Sequence, residues 1–194
     1  MPLNIPTYNL FDIFYSIQGE GFFTGRAAIF IRFSGCNLSC SFCDEPNHKK
    51  TGEKYTLNQL LDKIKEFDNC QFIVLTGGEP SIQPHLTDLV NALQEKHYFV
   101  CIETNGTNKL TCTPDWITVS PKTEKFIFGD ELKLVYQNQD LKRFINLPFR
   151  HFFLQPTNFK DKLNFYSLER CIKIIKENPI WQLSLQMHKM LKIK

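Results

Sequence analysis

No run of residues in this chain is long and apolar enough to cross a bilayer. The opening segment, Met1-Pro2-Leu3-Asn4-Ile5-Pro6, lacks the basic stretch and apolar run of a secretory leader. Excess charge is small: 23 Lys and Arg face 20 Asp and Glu, a formal +3 over 194 residues. Nucleic-acid binding wants basic residues gathered on one face, and the lysines near the end (Lys189, Lys192, Lys194) read as a solvated tail. Neither a nucleic acid nor a membrane is expected as a partner. Repeats, linkers and low-complexity stretches are missing too, which argues for a single domain over residues 1–194. The seven cysteines cannot all pair, and three of them are crowded together. That excludes a secreted disulfide framework and points to the reducing cytoplasm.

What is present is an alternation of apolar runs and helical patterns. Strands are expected over Arg26 to Ser34, Phe72 to Leu75, Tyr98 to Ile102, Trp116 to Val119, Leu132 to Val135, His151 to Leu154 and Trp181 to Leu185, after a shorter apolar stretch from Asp12 to Ser16. Thr56, with Gln59 three residues on, forms a capping box for a helix carrying Leu57, Leu60, Leu61, Ile64 and Phe67. Leu86, Leu89, Val90 and Leu93 mark a second helix, Asp140 to Ile145 a short third, and Ser167 caps a fourth that runs through Glu177. Uninterrupted apolar strands between helices predict the α/β class: a partial, open parallel β/α barrel of about six to seven strands, short of a closed eight-fold one.

Parallel strands send their C-terminal ends to one rim, where such folds bind ligands. Five turns follow strand ends here: the cysteine loop Cys36–Cys43, Thr76-Gly77-Gly78-Glu79-Pro80, Glu103-Thr104-Asn105-Gly106, Ser120-Pro121-Lys122 and Gln155-Pro156-Thr157-Asn158. Gln18-Gly19-Glu20-Gly21, taken alone, reads as a plain surface turn. Within the first loop, Cys36, Cys40 and Cys43 stand at C-x3-C-x2-C spacing. Thiols this close can wrap one metal centre. Iron–sulfur clusters normally take four cysteine ligands, so three suit a cluster with one iron open to a small molecule. Two plainer readings compete: a structural zinc site of Cys36, Cys40, Cys43 and His48, and ordinary reduced thiols in a buried turn. Cys70, Cys101, Cys112 and Cys171 sit singly in apolar surroundings and read as core fillers.

The three cysteines at this spacing, Phe42 before the last of them, and Thr76-Gly77-Gly78-Glu79-Pro80 together resemble the radical S-adenosylmethionine superfamily. More narrowly, the chain is similar over nearly its whole length to the 7-carboxy-7-deazaguanine synthase family. That likeness includes Ser16 to Gly21, Arg32, Cys43-Asp44, Glu103 to Gly106, Ser120 to Lys122, Gln155-Pro156, and a tail with Ser184-Leu185-Gln186 and His188-Lys189. The resemblance implies a [4Fe–4S] cluster on Cys36, Cys40 and Cys43, with S-adenosylmethionine as cofactor. It implies that a 6-carboxy-5,6,7,8-tetrahydropterin ring contracts with loss of ammonia. It places Ile17, Gln18, Gly19, Arg32 and Thr76 at the substrate, Arg32 answering its carboxylate. Phe42, Cys43, Asp44, Gly78, Ser120, Pro121, Lys122, Gln155, Pro156, Thr157 and Asn158 would line the S-adenosylmethionine site. A flavodoxin or ferredoxin as electron donor and a homodimer are also implied.

Two positions depart from the family pattern. Glu45 stands where relatives carry a Thr whose hydroxyl binds Mg2+; a carboxylate is a hard oxygen ligand suited to that ion. Relatives often close with Pro, whereas Ile193-Lys194 stand at that place here. Plainer roles remain open for Arg32 (a strand-end ion pair) and for Lys122 and Lys133 (ordinary ion-pair partners). The rival activities are a glycyl-radical-enzyme activase and a non-enzymatic zinc or iron–sulfur module.

Overall fold

Seven apolar strands lie side by side and point the same way. The computed structural model describes residues 6–43, 52–159 and 162–194. Its strands are β1 (Thr7–Ile17), β2 (Ala27–Phe33), β3 (Glu53–Thr56), β4 (Phe72–Gly77), β5 (Phe99–Thr104), β6 (Trp116–Val119), β7 (Glu131–Val135), β8 (His151–Gln155), β9 (Asn158–Phe159), β10 (Lys162–Leu163) and β11 (Trp181–Leu183). Its helices are α1 (Leu57–Lys65), α2 (Leu86–Glu95), α3 (Phe165–Glu177) and α4 (Met187–Leu191). The main sheet runs β11-β8-β7-β6-β5-β4-β2-β1-β3. From β2 to β11 every pairing is parallel, while β1 lies antiparallel to β2 and β3 antiparallel to β1. The sheet starts and stops at different strands, so the barrel is partial and open, as the sequence predicts.

Burial explains the apolar runs. Residues 28–31 of β2 and 72–75 of β4 are buried continuously, as strands covered on both faces must be. On the outer face, α1 contributes Leu60, Leu61 and Ile64, and α2 contributes Leu86, Leu89, Val90 and Leu93. The capping box of α1 is formed: Gln59 N donates to Thr56 Oγ1 (3.3 Å) and Thr56 N to Gln59 Oε1 (2.9 Å). No helix among the described residues is long and apolar enough to cross a membrane.

Several expectations are corrected. Residues 140–145 form a bend and successive turns instead of a helix: Phe144 N donates to Leu141 O (3.0 Å) and Leu147 N to Phe144 O (3.1 Å), turns that close over three residues, and a segment this short does not sustain a helix. Asn164, not Ser167, caps α3: its Oδ1 accepts from Ser167 N at 3.1 Å, and Ser167 lies inside the first turn. β4 and β5 extend to Gly77 and Thr104, which puts Thr76 and Glu103 on the strands themselves. The stretch around Asp12 is an 11-residue strand. A register shift between Leu10 and Asp12 reverses which face its side chains occupy. Leu10 pairs with Phe33, but Asp12 pairs with Arg32 and Phe14 with Phe30, and Arg32 stands beside Thr76 of β4. Asp12, Phe14 and Ser16 thereby share the concave face of the sheet with Arg32 and Thr76.

Candidate active site

The rim is tied together around the cysteine loop. β2 leads through Ser34 and Gly35 into Cys36, and the Gly77-Gly78 pair packs directly on that stem. Gly78 N donates to Phe33 O (2.9 Å) and Glu79 N to Gly35 O (2.9 Å). A Cβ on Gly78 would stand 1.6 Å from Gly35 O, so no side chain fits there. Glu79, 1% exposed, accepts from Ser81 N (3.0 Å), Thr104 Oγ1 (2.5 Å) and Asn105 N (2.7 Å), which locks the β4 turn to the end of β5. Asn105 then donates to Asn37 Oδ1 (2.9 Å), and Asn37 to Thr107 Oγ1 (2.7 Å). The cysteine loop is thus pinned one residue after Cys36. On its other side, Lys122 Nζ reaches Ser120 Oγ (2.6 Å) and lies 5.8 Å from the Phe42 ring.

The three loop cysteines are thiols, each half-buried. Cys36 Sγ accepts from Leu38 N at 3.4 Å, and Cys43 N donates to Cys40 O at 3.3 Å. Among the described residues no three Cys, His, Asp or Glu side chains stand as a preformed metal cage. The donor chemistry still fits an iron–sulfur cluster, since soft thiolates select one and the loop opens on the rim. The remaining cysteines are engaged elsewhere. Cys70 and Cys171 are buried in the core, Cys101 Sγ lies 4.0 Å from Thr118 Oγ1, and Cys112 is half-buried rather than fully buried. Asp44, Glu45 and His48 fall outside the described residues, so the Mg2+ position and the zinc alternative's fourth ligand have no geometry here.

Beneath the rim the concave face is polar. Lys133, 6% exposed, donates to Glu20 Oε2 (2.7 Å) and Glu103 Oε1 (3.3 Å). Gln18 Nε2 reaches the same Glu103 oxygen (3.1 Å), and Thr76 Oγ1 takes the other (2.9 Å). Gln18 and Thr76 therefore meet on one carboxylate. The turn from Gln18 to Arg26 joins the end of β1 to the start of β2, so it floors the barrel, opposite the rim. Ile17, 40% exposed, ends β1 just before it. The Gln155–Asn158 turn is bonded to the C-terminal tail. Ser184 Oγ donates to Gln155 Oε1 (2.8 Å), and Asn158 Nδ2 to Gln186 Oε1 (2.6 Å). The tail continues to the floor, where Met187 N donates to Gly19 O (3.1 Å) and Gln186 Nε2 to Glu20 Oε1 (2.9 Å). It ends along β1: Lys194 Nζ pairs with Asp12 (2.7 Å) and lies 5.0 Å from the Phe14 ring, and Ser16 Oγ donates to the Lys194 carbonyl. The expected solvated tail is therefore tied to the sheet at its last residue, although that side chain stays 64% exposed.

Glu20, Glu103 and Glu131 were not singled out by sequence reasoning as site residues. For Glu131 the signal is the alternation Glu131-Leu132-Lys133-Leu134, which puts an acid and a base on one face of a buried strand; Glu20 and Glu103 carry no such local sign. Burial would push the Glu20 carboxyl up, but Lys133, with His188 and Gln186, holds it down at about 2. Burial would likewise push Lys133 down, and Glu103, Glu20 and Glu131 instead raise it above the ordinary lysine range. For Glu131 burial wins over the pull of Lys133 and the Phe22 amide, and the carboxyl rises to about 7. Glu103 adds to that rise, Trp116 opposes it, and the His151 side chain stands beside it in register on β8.

These shifts set opposite pH dependences. Folded Glu131 keeps a proton that the unfolded chain releases near 4.5, so its contribution is full below that pH and is lost as pH rises to about 7. The Glu20 contribution is full above 4.5 and is lost as pH falls towards 2. Urea titrations should show stability falling between about pH 4.5 and 7, and Glu131→Gln should remove most of that slope. A slope unchanged in the variant would rule Glu131 out as its source.

The Radical SAM superfamily model matches residues 30–123. The chain is 42% identical over 188 residues to the 7-carboxy-7-deazaguanine synthase of Bacteroides thetaiotaomicron, covering 94% of this chain and 97% of that one. It is 33% identical over 205 residues to the synthase of the same name from Haemophilus influenzae, covering 97% and 95%. The solved structure of QueE from Escherichia coli aligns with a TM-score of 0.75 at 28% identity, over 93% of this chain and 94% of that one.

Proposed function

The chain belongs to the 7-carboxy-7-deazaguanine synthase family of radical S-adenosylmethionine enzymes, and from that premise we propose that it converts 6-carboxy-5,6,7,8-tetrahydropterin to 7-carboxy-7-deazaguanine with loss of ammonia. The observation that carries this is the 42% identity along 94% of the chain. It is supported by Gln18, Thr76 and Arg32, which lie far apart in sequence and share one concave face.

Cys36, Cys40 and Cys43 would hold the iron–sulfur cluster, which with S-adenosylmethionine supplies the one-electron chemistry that opens the reaction. Phe42, Gly78, Ser120, Pro121 and Lys122 border that loop and would orient the nucleoside, with Asp44 beside them in sequence. Gln155, Pro156, Thr157 and Asn158 would close the far side. Arg32 would bind the substrate carboxylate through two parallel hydrogen bonds. Ile17, Gln18, Gly19 and Thr76 would hold the pterin edge, and Lys133 keeps Glu20 ionised as an acceptor for its N–H groups, with the Glu103 oxygens beside it. The bound substrate and cofactor would complete the cover of this face and exclude competing reactions. Mg2+ at Glu45, a homodimer, a flavodoxin or ferredoxin as donor and a cytoplasmic location complete the proposal.

Anaerobic, reduced, cluster-loaded protein incubated with S-adenosylmethionine and carboxytetrahydropterin should release 7-carboxy-7-deazaguanine and ammonia. Cofactor cleavage without that product would overturn the substrate assignment. Arg32→Lys keeps the charge but loses the planar fork. It should raise KM for the pterin by about tenfold, a loss of roughly 1.4 kcal/mol. S-adenosylmethionine affinity should be unchanged. An unaltered KM would return Arg32 to a strand-end ion pair.

A further inference from the structure

The floor turn carries Gln18 and Glu20 to the concave face, and something must hold it from below. Glu131 does so. It opens β7 and is 1% exposed. Its Oε2 accepts from Phe22 N (3.2 Å), Trp116 Nε1 (3.3 Å) and Thr118 Oγ1 (3.4 Å). Its Oε1 is buried with no hydrogen-bond partner among the described residues. That oxygen lies against Gly21, where an added Cβ would stand only 2.1 Å from it. Gly21 also has φ +68°, a left-handed conformation that a side chain disfavours.

The surrounding rings fix the same place. Phe22 stacks at 4.9 Å on Trp116 and lies 4.3 Å from the His151 ring, while Phe23 packs 4.8 Å from both Phe72 and Trp116. Trp116, His151 and Phe72 each begin a parallel strand. The turn is thus seated on the strand starts by its aromatic rings, and its Phe22 amide is held by the Glu131 carboxylate, next to the Gly21 amide that donates to Ser184 Oγ (3.1 Å).

We propose that Glu131 is a positioning residue for substrate binding, its carboxylate holding the Gly21–Phe22 backbone so that Gln18 and Glu20 meet Glu103 and Lys133 in the geometry that receives the pterin. This rests on reading the Gln18–Glu20 turn as a substrate contact. Glu131 touches no reacting atom; it acts through the turn. Its orphaned oxygen is the counterpart of that fit, since the space of a hydrogen-bond donor is taken by the Gly21 backbone.

The test measures binding of carboxypterin, the oxidised substrate analogue, by fluorescence titration, and in parallel KM, kcat and S-adenosylmethionine affinity of the loaded enzyme. Glu131→Ala removes the hold and should weaken carboxypterin binding about tenfold or more, with S-adenosylmethionine affinity within about twofold. Glu131→Gln keeps an acceptor for Phe22 N and Trp116 Nε1 and should restore most of the binding. Gly21→Ala, which drives a methyl group into the carboxylate, should weaken binding as Glu131→Ala does, and it reports even if Glu131→Ala does not fold. Wild-type binding by both Glu131→Ala and Gly21→Ala would overturn the proposal, as would equal loss of pterin and S-adenosylmethionine affinity. Failure of the wild type itself to bind carboxypterin would instead overturn the substrate reading of the turn.

Discussion

Cys40→Ala protein, reconstituted anaerobically with iron and sulfide, is expected to stay colourless and to form no deazaguanine. Cluster assembly needs every thiolate the loop offers, because only Cys36 and Cys43 would remain where a cluster normally takes four cysteines. Folding should be nearly unaffected. Cys40 sits half-buried on the rim, outside both apolar cores, and the stem of its loop is held by Gly78, Glu79 and Asn37 rather than by sulfur. A matching urea midpoint for variant and wild type therefore separates ligand loss from unfolding. Cys112→Ser supplies the control and should take up iron normally. Brown absorbance and full activity in Cys40→Ala would refute the ligand assignment.

The second large effect is expected at Lys133. Lys133→Met keeps the length of the side chain and removes the charge that Glu20 and Glu103 face at 2.7 and 3.3 Å. Removing one partner of a buried ion pair typically costs about 3–5 kcal/mol, because the remaining charge is left without compensation. That is a large share of a domain's stability of about 5–15 kcal/mol. The urea midpoint should fall accordingly, and Glu20→Gln in the Lys133→Met background should recover part of the loss, since one stranded carboxylate is then gone. Such recovery is the mark of contact between the two sites. A Lys133→Met protein as stable as wild type would mean that these carboxylates do not depend on the lysine.

The contrast between these two sites shows what the sequence makes legible. The cysteine loop, Thr76 to Pro80 and Ser120 to Lys122 are local patterns, readable because their chemistry lies in neighbouring residues. The parallel strands were equally plain, because burial on both faces leaves an unbroken apolar run such as Phe72 to Leu75. The polar face beneath the rim was not. Lys133 meets Glu20 across 113 residues and Glu103 across 30, and no local pattern encodes such pairs. Arg32 could be placed near the cluster by its position, but its alignment with Asp12 depends on the register shift between Leu10 and Asp12 of β1, and its alignment with Thr76 on the parallel pairing of β2 with β4. The helix expected at 140–145 failed for another reason: the local pattern suited a helix, but the segment is short and its backbone closes i→i+3 turns instead.

The bond between Asp12 and Lys194 spans 182 positions of the chain and carries the tail from β11, at one margin of the sheet, to β1 near the other. On the ribosome, β1 and β2 emerge early and can pair at once, whereas residues 186–194 emerge only when synthesis of this stretch is finished. Gln186 and Met187 brace Glu20 and Gly19, so a nascent chain holds this turn unbraced from one side until then. Full bracing of that turn therefore waits for a segment 166 positions downstream of it.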